Sequence, residues 1–368
     1  MEPRAGGNGV SDISNESVEA GQPASSLAAP SGRLLDGLDE IRQDGIVYFV
    51  MGCYALMIWA LSIYLNNAQK YRPFQYILGW ALLSLLFLAT IWAVRATRID
   101  SRRPFSAFLA IVRRHWQRGL IWRLPLILAT AIFYGTFTSA KNMLPDIHPF
   151  TWDATLAAID YQMLGGHDGW KLVASVIPDG VPLQILDMIY TKVWLFLMLG
   201  LCAYVSLSSD FRHLRTRFLL AFSLGWVVAG NILAGFFMSG GPCFYAHFTR
   251  DNLRFAELLH SVASTGSAAE QNYLWSAYLS GQGWLAGGIS AFPSVHLVTI
   301  VVLTLLLKKM DIRLFWVGVI LTVLMEIGSV RLGWHYVTDG LVGIAVGVFA
   351  WYLAGVVSGT SSRGEAQA

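Results

Sequence analysis

Three ionisable side chains near the C-terminus recur every four residues in the stretch SVRLGWHYVTD, residues 329–339. On a continuous helix Arg331, His335 and Asp339 would share one face, each one turn from the next. Asp339 can then accept a hydrogen bond from one ring nitrogen of His335 and leave the other nitrogen basic. An imidazole oriented in this way can act as a nucleophile. The alternative is structural, with Arg331 and Asp339 pairing at a polar junction between two apolar segments.

A second polar motif, GGISAFPSVHLVTI (residues 287–300), opens another apolar segment. Pro293 favours the first turn of a helix, which would place Ser294 and His296 in that turn. The N-terminus of a helix offers free N–H groups and a partial positive charge, so it binds anions. We therefore predict an anion-binding site at this helix start, the alternative being a purely structural histidine.

The segments around these motifs have the composition of membrane helices. The 368 residues are 55% hydrophobic and 13% charged, with a mean hydropathy of +0.52, which is too apolar for a soluble globular protein. A net charge of +3, without a cluster of alternating basic and aromatic residues, argues against nucleic acid as a partner. At about 20 residues per span, we predict an all-α polytopic membrane helical bundle of about eight spans. These are residues 46–65, 76–94, 120–140, 181–207, 218–239, 288–307, 314–330 and 337–357.

The distribution of Lys and Arg orients this bundle, because basic loops stay in the cytoplasm. With eight spans, the side that carries both termini holds 17 Lys and Arg residues outside the spans, and the other side holds six. Both termini are therefore predicted to be cytoplasmic. The loops at 141–182, 240–287 and 333–336, and with them the polar motifs, are predicted to be extracytoplasmic.

The remaining segments lie around the spans. Residues 1–45 are rich in Gly, Ser, Ala, Asn and Pro, which predicts a disordered cytoplasmic tail. Residues 46–119 contain two N-terminal spans and a basic cytoplasmic loop, residues 120–357 contain the other six spans, and residues 358–368 form a short tail.

One extracytoplasmic loop contains a predicted amphipathic helix. Its apolar face comprises Trp152, Leu156, Ile159 and Met163, with Asp153 and Asp160 off that face. This pattern is typical of a helix that lies in the membrane interface. A helix that packs over the end of the bundle is an equal alternative.

The motifs PSVH and GWHYVTD, in which His335 follows His296 by 39 positions, resemble two signatures of the type 2 phosphatidic acid phosphatase superfamily. AFPSVH, LGWHYVTD and the stretch GGPCFY (residues 240–245) look most like its inositol phosphotransferase branch, which includes fungal inositol phosphorylceramide synthase. The resemblance covers residues 120–357 and implies a six-helix core. A first signature, Lys, six residues and Arg-Pro, is matched in part by Lys141 and His148-Pro149.

Two arginines of the superfamily pattern are missing from their usual places. His148 replaces one, and Ser329 stands where the other is expected, although Arg331 could replace it from a different register. A phosphomonoester carries a charge of about −1.5 to −2 near neutral pH, whereas a phosphodiester carries one negative charge. The smaller number of fixed cations therefore favours a phosphodiester donor over phosphatidate.

The resemblance implies a role for each matching residue. His335 would be the nucleophile that forms a phosphohistidine, Asp339 would orient it, and His296 would be the general acid and base. Phosphate binding would fall to Lys141, His148, Ser294 and Arg331. Neither a metal nor a cofactor is implied.

Function is predicted only to the level of a lipid phosphatase or phosphotransferase. The donor would be a membrane phospholipid, and the acceptor would be water or an alcohol such as inositol or a lipid hydroxyl. The alternative is a non-catalytic transporter or scaffold with the same fold. That function would require polar residues deep in the bundle, for which Asp187, Lys192 and Glu326 are the candidates.

Overall fold

The computed structural model describes residues 30–208 and 211–360, and these ranges contain helices and turns but no strand. The first nine helices are α1 Pro30–Gln43, α2 Gly45–Tyr64, α3 Ile77–Ile99, α4 Pro104–Gln117, α5 Leu124–Ile147, α6 Asp153–Met163, α7 Gly169–Ala174, α8 Val181–Met188 and α9 Trp194–Leu207. The others are α10 Arg212–Val227, α11 Ala234–Phe236, α12 Tyr245–Thr249, α13 Ala256–Val262, α14 Gly266–Ser280, α15 Val295–Met310, α16 Ile312–Arg331 and α17 Val337–Val357. The prediction of an all-α membrane bundle is confirmed.

Seven helical segments in the described ranges are long and apolar enough to cross a membrane. They are Gly45–Tyr64, Ile77–Ile99, Leu120–Ile147, Val181–Leu207, Arg212–Phe236, Ile312–Arg331 and Val337–Val357. Short π-helical turns, Ile189–Val193 and Val228–Leu233, join α8 to α9 and α10 to α11 within two of these segments. Each of the seven corresponds to a predicted span.

The eighth predicted span, residues 288–307, differs from the structure at its start. Helix α15 begins at Val295 and has 16 residues, which is about 24 Å at 1.5 Å per residue. Gly288 has a φ of +91°, and the chain from there to Ser294 is not helical. Most residues of α15 are buried, and the helix packs against α10, α16 and α17. A central helix surrounded by others needs less length than one that faces lipid.

The predicted disordered tail is corrected between residues 30 and 43, where the chain forms α1. The guanidinium of Arg215 is fully buried and lies 2.8 Å from Glu40 and 2.7 Å from Asp44. Arg123 lies 3.1 Å from the other oxygen of Glu40. These ion pairs attach α1 to the bundle, a long-range effect that local composition does not report. Residues 1–29 of the predicted tail, and 361–368 of the C-terminal one, lie outside the described residues.

The buried cluster of Glu40, Asp44, Arg123 and Arg215 leads to a stability prediction. Asp44→Ala removes one partner from Arg215 and should lower the free energy of unfolding by about 3 kcal/mol, because a buried charge loses its partner. An SDS titration in detergent micelles measures this. Asp39→Ala is the control, since Asp39 is exposed on α1 next to Glu40, and it should change the free energy by less than about 0.5 kcal/mol. Equal losses in the two variants would contradict the proposed importance of the cluster.

Candidate active site

The polar motifs that are distant in sequence meet at one end of the bundle. The ring centroids of His296 and His335 are 6.3 Å apart. The Ser294 N–H donates a hydrogen bond of 3.0 Å to the Asp339 carbonyl, which joins the start of α15 to the first turn of α17. A Cβ at Gly343 would lie 2.5 Å from the Ser294 carbonyl, so only glycine allows this approach. The two motifs therefore form a single site.

The turn that carries His335 is not the continuous helix predicted from the spacing. Helix α16 ends at Arg331 because Gly333 adopts a left-handed conformation, with a φ of +78°. The N–H groups of Trp334 and His335 both donate to the Ser329 carbonyl, at 3.0 and 3.2 Å. His335 thus enters the site from a tight turn rather than from a helical face.

The contact between His335 and Asp339 is present despite that break. Nδ1 of His335 lies 3.2 Å from Oδ2 of Asp339, and the same oxygen accepts the N–H of Tyr336 at 3.0 Å. Asp339 is fully buried and His335 is nearly so. Because a carboxylate oxygen faces Nδ1, we assign the ring proton to that nitrogen. The lone pair then lies on Nε2, as a nucleophilic imidazole requires.

Burial lowers the pKa of the His335 imidazole, and the positive charge of Lys141 lowers it further. The backbone of Ala291 acts on this pKa in the opposite direction but does not reverse the shift. The ring is therefore neutral near pH 7, and its lone pair is available.

Aromatic rings fix the position of His296. Its ring stacks on Tyr190 with centroids 4.7 Å apart and an interplanar angle of 14°, and Trp194 lies 4.0 Å away at 32°. Both aromatic residues lie at the π-helical turn between α8 and α9. Sequence reasoning missed them. Their spacing of four residues is a weak signal, because a helix with aromatics at this spacing more often packs in a core.

Of the four predicted phosphate-binding side chains, the structure brings two to the site. Ser294 is the N-cap of α15, which places Pro293 and Ser294 before the first turn rather than in it. Lys141 packs its stem against Gly288 and lies close enough to both histidines to act on them electrostatically. Within the described residues, Lys141 forms no ion pair and is a free cation at the site.

The other two predicted residues have different surroundings. His148 is exposed beyond the end of α5. The Arg331 guanidinium binds Asp179, the Ser261 hydroxyl and the Ile177 carbonyl, and the predicted pairing with Asp339 is not formed. Each departure from the prediction has a local cause. The chain becomes extended at His148, after the end of α5. Helix α16 ends at Arg331, so Arg331 does not share a helical face with His335 and Asp339.

Helix α6 supports the site with two carboxylates, which corrects the predicted apolar face. Asp153, Leu156 and Asp160 are buried, whereas Ile159 and Met163 are exposed. Asp160 accepts hydrogen bonds from the N–H groups of residues 337 and 338, the first turn of α17. The alternative of a helix that packs over the bundle is therefore the correct one. Burying these aspartates is tolerated because backbone N–H groups satisfy them.

Asp153 holds the GGPCFY segment beneath the His335 turn. Its carboxylate accepts the N–H groups of Gly240 and Gly241 at 2.9 Å each, and the Tyr336 hydroxyl at 3.0 Å. Gly241 has a φ of +84°, and a Cβ there would overlap with the Trp334 carbonyl. The left-handed backbone and the close carbonyl explain why position 241 is a glycine. No three or more His, Cys, Asp or Glu side chains form a metal-ligand group within ranges 30–208 and 211–360.

A comparison with protein-family models matches residues 154–353 to the PAP2 superfamily. The chain belongs to the PAP2 superfamily. The match covers helices α6 to α17 and both histidine motifs, but it does not reach Lys141. It supports phosphatase or phosphotransferase activity at the level of the superfamily. Neither the comparison with curated proteins nor that with solved structures found a match.

The carboxylate of Asp160 at the start of α17 generates a prediction about the PAP2 core. Asp160→Ala leaves the N–H groups of Val337 and Thr338 without their acceptor, and the loss of such a cap costs about 1 to 2 kcal/mol. Hydrogen exchange in a peptide covering residues 336–341 should accelerate about five- to thirtyfold. Gln162→Ala, on the exposed side of the same helix, should leave it unchanged. Unchanged exchange in Asp160→Ala would show that the cap does not hold the turn.

Proposed function

We propose that the protein is an integral membrane lipid phosphotransferase or lipid phosphate phosphatase that works through a phosphohistidine on His335. The observation that carries this proposal is the arrangement of two histidines. Nδ1 of His335 faces Asp339 at 3.2 Å, and the His296 ring is 6.3 Å away from the His335 ring. One imidazole is thus oriented for attack while the second is placed for proton transfer.

In the first step Nε2 of His335 attacks the phosphorus of a phospholipid donor. The bond from phosphorus to the leaving alkoxide oxygen breaks, and His296, which is protonated when the anionic donor binds beside it, gives that oxygen its proton. Asp339 stabilises the positive charge that develops on the His335 ring. In the second step neutral His296 takes a proton from water or an alcohol. The resulting oxygen attacks phosphorus and releases His335.

The charge that develops on the phosphoryl oxygens needs fixed positive partners. Lys141 is the cation available for this, together with the free N–H groups of the first turn of α15, where Ser294 makes no side-chain cap. With Arg331 bound to Asp179, Lys141 is the one side-chain cation beside the histidines that has no ion-pair partner in the part of the chain that the structure describes. That charge matches a phosphodiester, so we propose transfer of a phospho-headgroup from a phospholipid to an alcohol.

The acceptor and the side of the membrane are part of the same proposal. The resemblance of AFPSVH, LGWHYVTD and GGPCFY to the inositol phosphotransferase branch favours inositol or a lipid hydroxyl as acceptor. The excess of Lys and Arg in loops at the end of the bundle opposite the site favours cytoplasmic termini and an extracytoplasmic site.

The roles of the histidines can be separated by substitution. His335→Ala should abolish both turnover and an acid-labile phosphoenzyme, because the attacking nitrogen is removed. His296→Ala should still form phosphoenzyme from a donor with a good leaving group, which needs little help from a general acid. Asp339→Asn should keep the fold and lower kcat by about 10³ to 10⁴. Labelling with a phosphorus-32 donor and acid quench measures all three. Equal loss of labelling in the two histidine variants would contradict the assignment.

A second prediction concerns the donor. Wild-type protein should turn over a phosphodiester lipid faster than phosphatidate, because one cation matches one negative charge. Lys141→Met should lower kcat/KM for the diester about ten- to a hundredfold, the effect of losing one charge-assisted contact.

Arg331→Lys is the control for the loss of Lys141. In the wild-type protein the Arg331 guanidinium contacts Asp179 rather than the site. The kcat/KM of Arg331→Lys per folded molecule should therefore differ from that of wild type by less than about threefold. Side-by-side assays of both donors in vesicles decide the matter. Rapid hydrolysis of phosphatidate by wild-type protein would refute the diester preference, and a large loss in Arg331→Lys would return that residue to the site.

A further inference from the structure

Helix α16 carries an acidic residue inside its membrane-spanning segment. Both carboxyl oxygens of Glu326 are buried, and neither has a hydrogen-bond partner among the described residues. A Cβ built on Gly340 would overlap with this carboxyl group, so Glu326 lies directly against the backbone of the residue that follows Asp339. It therefore lies next to the first turn of α17, on a helix that contributes no side chain to the proposed phosphoryl site.

Two further polar atoms behind the site are buried in the same way. Oδ1 of Asp339 and the Tyr190 hydroxyl have no hydrogen-bond partner among the described residues. Glu326 is close enough to both residues to interact with them electrostatically. Each of these neighbours touches a catalytic histidine: Asp339 through its other oxygen, and Tyr190 through its stacked ring. Glu326 therefore contacts the surroundings of both histidines without facing substrate.

The charge of Asp339 decides whether the Glu326 carboxyl is ionised or neutral at this position. Two unpaired carboxylate anions this close together would repel strongly in a medium of low dielectric constant. Asp339 is the one that can be an anion, because the Tyr336 N–H and the His335 ring both donate to its Oδ2. Glu326 has no donor of this kind, and a buried group without one is least unfavourable when neutral. A neutral carboxyl then offers an O–H donor.

We propose that Glu326 is a positioning residue, whose neutral carboxyl supports Asp339 and the first turn of α17. It holds the anion in the geometry that orients the nucleophile. This inference rests on the proposed phosphohistidine function of His335. Since Glu326 does not touch the substrate, its role should be visible in kcat and not in KM.

Two substitutions of similar size separate a hydrogen-bond donor from mere volume. Glu326→Gln keeps a neutral donor of nearly the same shape, so its kcat should stay within about threefold of wild type. Glu326→Leu keeps volume but has no donor, and it should lower kcat about ten- to a hundredfold with KM unchanged. Glu326→Met is the replacement if the leucine variant does not fold.

Thr322→Val is the matched control, since it removes a hydroxyl on the same helix one turn before Glu326. That hydroxyl binds the Gly318 carbonyl and lies 3.3 Å from Thr304, away from Asp339. The control should keep wild-type kcat and KM. All variants are compared as full-length protein in vesicles, per folded molecule.

The outcomes distinguish this inference from the proposed function. If wild type and His335→Ala are equally inactive on every donor, the proposed function fails. If wild type is active and His335→Ala is not, a wild-type kcat in Glu326→Leu or Glu326→Met overturns the positioning role alone. A kcat at least tenfold below wild type in a folded Glu326→Gln variant also overturns the positioning role, because a neutral donor would then be insufficient. If neither apolar variant folds, the kcat of Glu326→Gln alone decides. A parallel rise in KM would assign Glu326 to substrate binding instead.

Discussion

The hydrogen bond from the Ser294 N–H to the Asp339 carbonyl is the contact on which the site depends. It holds the N-terminus of α15 against the first turn of α17, so two helix dipoles direct partial positive charge to the same place. The contact is possible because Gly343 has no side chain where the two helices cross. It thereby helps to fix the distance between His296, in the first turn of α15, and His335, in the turn before α17.

The two helix N-termini differ in whether their first N–H groups are already hydrogen-bonded. On α17 the first N–H groups are taken by Asp160, so this end cannot bind another anion. On α15 the N-cap Ser294 makes no side-chain hydrogen bond to the first turn, and those N–H groups remain available next to His296. Under the proposed function, an incoming phosphoryl group is therefore expected on the α15 side.

The fold class and the meeting of the two histidine motifs were predictable, because apolar length and the order of the motifs are local properties of the sequence. The direction of Arg331 was not, because it depends on one left-handed residue, Gly333, that ends α16 early. The buried face of α6 was also not predictable. Hydropathy places aspartate on the exposed side, whereas Asp153 and Asp160 are buried against N–H groups contributed by distant segments.

The two ends of the bundle neutralise buried acidic groups by different means. At the end opposite the site, Asp44 and Glu40 both form ion pairs with Arg215. At the site, Asp153 and Asp160 are satisfied by backbone N–H groups. Because these carboxylates need no side-chain cation, Lys141 stays unpaired beside the histidines. A site of this kind leaves the charge of Lys141 available to an anionic ligand, which agrees with the proposed phosphodiester donor.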